Sequence, residues 1–108
     1  MPQFVILESP FAGEVEKNVK YAHQCLRDSL LRGEAPFASH LLYTTALDDT
    51  VAWERTLGID AGLAIGSNAT KTVVYTDRGI SKGMRYGIAR AVAEGRPVEY
   101  RSLRKIQL

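Results

Sequence analysis

The stretch KTVVYTDRGISKGMRYGIARAVAEGRPVEY, residues 71–100, decides the fold class. Its first six residues are an apolar run that predicts a strand, and DRGI predicts a turn. Ser81 stands where it can cap a helix over 82–94, which Gly95 then ends. RPVEY at 96–100 predicts a further strand. A strand, a helix and a strand joined by short turns is the repeating unit of parallel α/β domains.

The N-terminal part of the chain continues the same alternation. QFVIL at 3–7 predicts a strand that is buried on both faces, and 14–32 predicts a helix. Residues 35–44 predict a second strand or extended segment, and 51–65 a second helix capped by Asp49 or Thr50. The order β-α-β-α-β-α-β predicts one domain over 1–108, a flavodoxin-like or Rossmann-like three-layer sandwich with a mainly parallel sheet of about four or five strands.

Helical spacing predicts which side chains face inward. The predicted sets are Val15, Val19, Ala22, Leu26, Ser29 and Leu30 on the first helix, Trp53, Leu57, Ala61, Ala64 and Ile65 on the second, and Met84, Ile88, Ala91 and Val92 on the third. Gly58, Gly62 and Gly66 recur every four residues on the second helix. Since each glycine in a helix interior costs about 1 kcal/mol relative to alanine, this stripe indicates close packing against another backbone, within the chain or at a subunit interface.

Composition narrows the function classes. The 108 residues carry a net charge of +2, and the basic tail at 101–108 is typical of a solvated end rather than a nucleic-acid arm. Cys25 is the only cysteine, so no internal disulfide forms and a small buried thiol is expected. Neither a signal peptide nor a membrane-spanning run is recognisable, which predicts a cytoplasmic protein. The few histidines and the cysteine fit no metal motif, and no metal or cofactor is expected.

Three loops follow predicted strands, where open α/β sheets bind their ligands. They are ESPFAG (8–13), SHLLYTTALDD (39–49) and TDRGISKG (76–83). In the third, Gly79 allows a tight turn and Gly83 lets a ligand approach the free amides of the helix start. Those amides and the positive charges of Arg78 and Lys82 favour a phosphate or carboxylate.

The segments FVILESPFAGEVEKNVKYA, PFASHLLYT with LDD, and YTDRGISKGM with GRPVEY resemble the nucleoside 2-deoxyribosyltransferase-like superfamily, and more closely its small uncharacterised domains from phage and bacterial genomes. The resemblance covers nearly the whole chain. It implies a flavodoxin-like sheet, a nucleoside or nucleotide pocket, and sites often completed by a neighbouring subunit. The ligand-binding residues expected from the matching motifs and loops are Ser9, Pro10, Phe11, Gly13, His40, Asp77, Gly79, Ser81, Lys82, Gly83, Met84 and Gly87.

The chain departs from this pattern at one decisive position. Active members of the superfamily place a nucleophilic glutamate three residues beyond the methionine of the Ser-x-Gly-Met turn, and here that position is Gly87. Glycine cannot replace a carboxylate nucleophile. The stripe of Gly83, Gly87 and Ala91 is then either a pocket wall or a packing surface, and the pocket wall is the favoured interpretation.

Several other side chains allow two interpretations. His40 is either a ligand donor or a loop histidine bonded to backbone, with equal weight. A helix cap accounts for at least one of Asp48 and Asp49, which otherwise could orient a sugar hydroxyl. Arg55 could reach a phosphate, or join an exposed ion pair with Glu54. Aromatic rings such as Tyr43 and Trp53 could stack on a base, although such residues are more often core.

The favoured function is binding of a nucleotide-like small molecule without cleavage, which in a phage setting would sequester a nucleotide signal of host defence. The alternative is an N-glycosidic hydrolase or transferase that recruits another carboxylate, from Glu8, Asp48, Asp49 or Asp77. A third alternative is a structural oligomer without a ligand. A homo-oligomer is expected, and neither a nucleic-acid nor a membrane partner is.

Overall fold

The computed structural model describes residues 1–104. Of the basic tail predicted over 101–108, the last four residues lie outside the described residues, and the first, Arg101, is buried and not solvated as predicted. Four strands form one parallel sheet, β1 (Phe4–Glu8), β2 (Ala35–Phe37), β3 (Lys71–Tyr75) and β4 (Val98–Arg101), in the spatial order β2-β1-β3-β4. This confirms the predicted α/β sandwich. The strand order reverses direction between β1 and β3, so the loops that follow these two strands diverge and leave a crevice.

The helices are α1 (Val15–Leu31), α2 (Ser39–Leu42), α3 (Ala52–Gly66) and α4 (Lys82–Ala93), with a 3₁₀ turn at Tyr43–Thr45. The predicted extended segment at 35–44 is therefore a strand of three residues followed by helical turns. The hydroxyls of Thr44 and Thr45 donate to the carbonyls of His40 and Leu42, each at 2.6 Å, and these local bonds compete with strand pairing.

The main core lies between α1 and one face of the sheet. Val5, Leu7, Val73 and Tyr75 point to that face and pack with Tyr21 and Cys25. Cys25 is completely buried, as predicted, and is a free thiol. Because side chains alternate along a strand, the residues between them, Ile6 and Glu8, point to the opposite face.

That opposite face is covered by α3 and α4, and the glycine stripe of α3 packs within the chain. A β-carbon on Gly62 would lie 2.7 Å from Cβ of Ser39, and one on Gly66 would lie 3.2 Å from Ile6. At Gly58 the nearest atom, in Leu47, would be 3.4 Å away. The stripe thus brings α3 close to α2 and β1, which settles its role as packing inside the chain.

The inward faces of the helices were predicted only in part. Met84 and Ala91 are buried as expected, but Trp53, Leu57 and Val92 are 66%, 51% and 68% exposed. On α1, Val15 and Leu30 are also exposed. The reason on α3 is that its glycines, and not its large side chains, face the rest of the chain.

The predicted cap of α3 is also wrong. Val51 occupies the N-cap position and makes no side-chain capping bond. The carboxylate of Asp48 instead accepts bonds from the backbone N–H and the hydroxyl of Thr50, at 3.0 and 2.6 Å. This local turn uses the polar groups that were expected to cap the helix.

A buried ion cluster covers β4 on the α1 side of the sheet. The Arg101 guanidinium donates two bonds to the Glu34 carboxylate, at 2.7 and 2.6 Å, and its side chain is only 4% exposed. Arg101 also pairs with Glu99, and Lys71 contacts both glutamates. The Arg101 hydrogen bonds are the main reason that the pKa of Glu34 falls to about 2. Within residues 1–104 no helix combines the length and apolar character needed to cross a bilayer.

Candidate functional site

A cavity of about 620 Å³ opens between the β1 face that carries Ile6 and Glu8, the helix α4, and α3 with the segment before it. Its volume lies within the range of small-molecule sites. Eight of the predicted ligand-binding residues line it: Ser9, Phe11, His40, Ser81, Lys82, Gly83, Met84 and Gly87. The structure therefore gathers side chains from all three of the loops that follow strands.

Glu8 and Gly87 meet on the wall of this cavity. Glu8 is the last residue of β1, and its side chain points at α4. A β-carbon added to Gly87 would lie 2.6 Å from Cδ of Glu8 and closer still to Oε2. The carboxyl group thus occupies the space that a side chain at residue 87 would need. Gly87 both lines the cavity and packs closely against Glu8, so the pocket-wall and packing interpretations of this glycine hold together.

The surroundings of Glu8 keep its carboxyl protonated over most of the neutral range. Enclosure between β1 and α4 raises the pKa of Glu8 to about 8, and the positive charge of Arg96 offsets part of that rise. Glu8 is half-buried, its carboxyl oxygens keep some access to the cavity, and none of the hydrogen bonds within residues 1–104 involves them. Partial removal from water, without donors in compensation, disfavours the charged form of the carboxyl, and the cavity that it faces can hold a ligand that supplies the missing interactions.

Beside Glu8, Ser9 and His40 form a polar pair. Ser9 Oγ and His40 Nε2 lie 2.7 Å apart, and the serine is buried. Burial lowers the pKa of His40 to about 4, so the ring is neutral at physiological pH. His40 is thus bonded to a side chain rather than to backbone, and it joins the end of β1 to α2.

The start of α4 lines the cavity one helical turn before Gly87. Ser81 caps the helix as predicted, because its hydroxyl accepts from the Met84 N–H at 3.2 Å. The amides of Lys82 and Gly83 belong to the first turn and have no partner in the helix. The space beside Gly83 is open, since a β-carbon there would find its nearest atom, Ser81 Oγ, 3.9 Å away.

The remaining predicted residues lie elsewhere. Pro10, Gly13 and Gly79 line a second, shallower cleft of about 410 Å³ beside Asn18 and Arg78. The Asn18 amide donates to the carbonyls of residues 11 and 12, and its oxygen accepts from Arg78 Nε at 2.8 Å. These bonds hold the first loop against the third.

Asp77 lines neither cavity. Its carboxylate accepts from the hydroxyls of Tyr21 and Ser102, both at 2.6 Å, and from the Leu103 N–H. Burial by itself would raise the pKa of Asp77, but these bonds lower it to about 2. Asp77 thus anchors the segment after β4 to α1.

The cavity also holds residues to which the sequence assigned little or no weight. Tyr43 lines it, with its ring edge-on to Phe37 at a centroid distance of 6.3 Å, whereas Trp53 is exposed and lies outside. Glu8 was one of four candidate carboxylates, and its position at the end of an apolar strand was the available signal. The sequence analysis did not select Arg96 as a site residue, because charged residues are common directly after helices and the position carries no signal of its own. Among residues 1–104 no three of His, Cys, Asp and Glu gather as a metal site.

Comparison with known proteins adds a family and a structural relative. The family profile described as a domain of unknown function, DUF7768, matches residues 3–101. The chain belongs to the DUF7768 family. No curated protein matches this DUF7768 chain significantly.

A solved structure of a 2-deoxyribosyltransferase from Bacillus psychrosaccharolyticus superposes on the DUF7768 chain with a TM-score of 0.65. The two share 23% sequence identity, and the alignment covers 97% of this chain and 76% of the enzyme. At that identity the similarity shows a shared fold and a distant structural relationship. It agrees with the resemblance found in the sequence motifs.

Proposed function

We propose that this DUF7768 chain binds a nucleoside or nucleotide in the 620 Å³ cavity and cleaves or transfers its N-glycosidic bond with the Glu8 carboxylate. One observation supports this above all: the Glu8 carboxyl fills the space beside Gly87. The motif resemblance implies a glutamate on α4 at that position. Here β1 would supply the acid to the same place from the opposite side.

Such a carboxylate has two ways to act. As the bond from the sugar to the base breaks, positive charge develops at the anomeric carbon, and a nearby carboxylate stabilises it. A carboxylate oxygen can also bond to that carbon while the base leaves with the electron pair and takes a proton from solvent. Water or a second base then attacks the anomeric carbon and gives up a proton to solvent, while the bond to the carboxylate oxygen breaks and the Glu8 carboxylate is regenerated. Partial exclusion of water from the cavity lowers the local dielectric, which strengthens the attraction between the opposite charges.

The raised pKa of Glu8 gives this reaction a characteristic pH dependence. With a pKa of about 8, about one molecule in ten carries the charged carboxylate at neutral pH. We expect the rate of base release to rise about tenfold between pH 7 and pH 9, as the charged fraction approaches one.

The start of α4 is the proposed site for a phosphate. The support is the open space at Gly83, the first-turn amides and the Lys82 charge on the cavity wall. Replacing Gly83 with valine should abolish binding of nucleoside monophosphates and leave the fold intact. Calorimetry with the parent and the variant tests this, and an unchanged affinity for every ligand would place the phosphate elsewhere.

Binding without cleavage is the second candidate function, and the protonation of Glu8 favours it. A neutral carboxyl donates one hydrogen bond and stabilises no developing cation. A protein that holds a nucleotide signal with a protonated Glu8 would sequester that signal and leave it unchanged. Binding without cleavage predicts that the protein binds the nucleotide tightly and releases no base at any pH.

Both candidates are tested by incubating the protein with nucleosides, 2-deoxynucleosides and their monophosphates and following the free base by chromatography. We expect base release by the parent protein and loss of that release in Glu8→Gln. Glu16→Gln, on an exposed turn of α1, is the matched control and should behave as the parent. Release that persists in Glu8→Gln would refute the role of Glu8. Ligand binding without any release would favour the second candidate.

A double variant tests the position of the acid independently. Glu8→Ala with Gly87→Glu moves the carboxylate from β1 to α4, the place that the resemblance implies, and clears the space it needs. We expect this variant to regain part of the activity that Glu8→Ala loses. No recovery in a folded double variant would mean that the two positions do not serve the same reacting atoms.

We also propose that the chain forms a homo-oligomer. The glycine stripe no longer supports this, because it packs within the chain. The support is instead the exposure of Trp53 and Leu57, one helical turn apart on α3. The oligomer is independent of the proposed chemistry, and mass measurement in solution tests it directly.

A further inference from the structure

We propose that Arg96 is a positioning residue for Glu8: its guanidinium, held under α4, is the counter-charge that allows the Glu8 carboxyl to ionise. Arg96 lies in the turn between α4 and β4 and lines the same cavity as Glu8 and Gly87. Its importance for catalysis rests on the proposed function, but its effect on the ionisation of Glu8 does not.

The Arg96 side chain is fixed in place from two sides. Nε donates to the hydroxyl of the buried Thr72 on β3 at 3.0 Å, and Nη1 donates to the Glu94 carboxylate at 2.9 Å. Only 6% of the side chain is exposed. Thr72 pairs with Ile6, so the guanidinium lies over the strand face to which Glu8 belongs.

No ion pair within 4.0 Å joins Arg96 to Glu8 in the described part of the chain, so the guanidinium acts on the carboxyl through space and not by direct contact. Water screens a buried charge much less than an exposed one, so Arg96 can act on Glu8 without touching it. When Glu8 is neutral, Arg96 and Glu8 together carry one net positive charge. When Glu8 ionises, the charges balance. The Glu94 carboxylate cancels part of the Arg96 charge, and the remaining positive charge favours the ionised form of Glu8.

Other charged or titratable groups line the cavity: Lys82 on α4, Glu54, Arg55 and Asp60 on α3, His40 on α2, and Asp49 before α3. Lys82, Arg55 and Asp60 are exposed residues, and solvent screens them. Burial keeps the His40 ring neutral. Glu54 and Asp49 would oppose ionisation of Glu8. Arg96 is the one buried cation among these lining residues, and its charge lowers the pKa of Glu8.

The test is a titration of the Glu8 carboxyl carbon by nuclear magnetic resonance in the ligand-free protein. Arg96→Gln should raise the midpoint of Glu8 by about one pH unit or more, and Arg96→Lys, which keeps the charge, should restore it at least in part. An unchanged midpoint in folded Arg96→Gln would overturn the proposal.

A second variant keeps the test decisive if Arg96→Gln does not fold. Glu94→Gln removes the negative charge that partly neutralises Arg96, at a side chain that is 25% exposed. We expect the Glu8 midpoint to fall, opposite in sign to the effect of losing Arg96. A midpoint that rises or stays constant would refute the proposal. Arg90→Gln, which loosens only the outer 3.6 Å pair with Glu94, is the control and should leave Glu8 unchanged.

The pH dependence of base release separates this inference from the proposed function. If Arg96→Gln shifts the pH profile of base release and the titration midpoint of Glu8 to higher pH by the same amount, the result supports both cleavage by Glu8 and the role of Arg96. A shifted midpoint without any base release supports the role of Arg96 and refutes cleavage. If base release depends on Glu8 but the titration midpoint of Glu8 does not change in the Arg96 and Glu94 variants, the result supports cleavage and overturns the role of Arg96.

Discussion

Replacing Glu8 with glutamine should change how the stability of the protein depends on pH. The carboxyl has a pKa of about 8 in the folded chain and an ordinary value of 4.5 when exposed. The unfolded chain therefore releases this proton at lower pH than the folded chain does. Stability from Glu8 is complete below the lower value and is lost as the pH rises through the higher one. Glutamine has a similar shape and no proton to lose.

The size of the effect follows from the two pKa values. Ionisation of Glu8 lowers the free energy of unfolding by about 1 kcal/mol at pH 5 and by about 5 kcal/mol at pH 9. The difference in stability between Glu8→Gln and the parent should thus change by about 4 kcal/mol over this range in favour of the variant. A domain of this size has a total stability of about 5–15 kcal/mol, so the change is easily measured.

Urea unfolding followed by far-ultraviolet circular dichroism, at constant ionic strength and at several pH values, measures this difference. His40, whose pKa is lowered to about 4 by burial, titrates in both proteins, and its contribution cancels. Glu16→Gln controls for loss of a surface charge. Parallel curves for the parent and Glu8→Gln from pH 5 to pH 9 would show that the Glu8 carboxyl ionises normally, which would refute its enclosure beside Gly87.

Three further predictions concern the contact between Glu8 and Gly87, the Glu34–Arg101 ion pair and the oligomeric state. Gly87→Ala should displace the Glu8 carboxyl and reduce base release at least tenfold in a folded protein, whereas Arg85→Ala, at an exposed position of the same helix outside the cavity lining, should keep activity; equal activities would contradict this. Glu34→Gln should lower the free energy of unfolding by about 3 to 5 kcal/mol at neutral pH, because the buried Arg101 charge loses its bidentate partner. Urea unfolding at several pH values should show this difference shrinking toward about pH 2, where Glu34 of the parent protein also becomes protonated. Light scattering should give a mass above that of one chain at micromolar concentration, and a monomer would rule out the proposed oligomer.

Much of the architecture follows from local pattern. The apolar runs at 4–8 and 71–75 and the capped helix that begins after Ser81 lie within one or two residues of their predicted bounds. These signals are local, since strand burial and helix capping depend on neighbours in sequence. The prediction was weakest at 35–45, where side-chain to backbone bonds of Thr44 and Thr45 replace strand pairing, and on α3, where apolar residues occur all round the helix.

The sequence by itself also determined which loops approach one another and that residue 87 carries no catalytic side chain. Only the tertiary structure decided what lies beside that glycine. A glycine in a helix signals that something approaches closely, but it carries no information about the partner. Glu8 reaches Gly87 because the strand alternation directs it to the face that α4 covers, and Arg96 reaches the same space from beyond the end of α4. Gly87 and Arg96 come 79 and 88 positions after Glu8 in the sequence, and no local pattern encodes proximity at that separation.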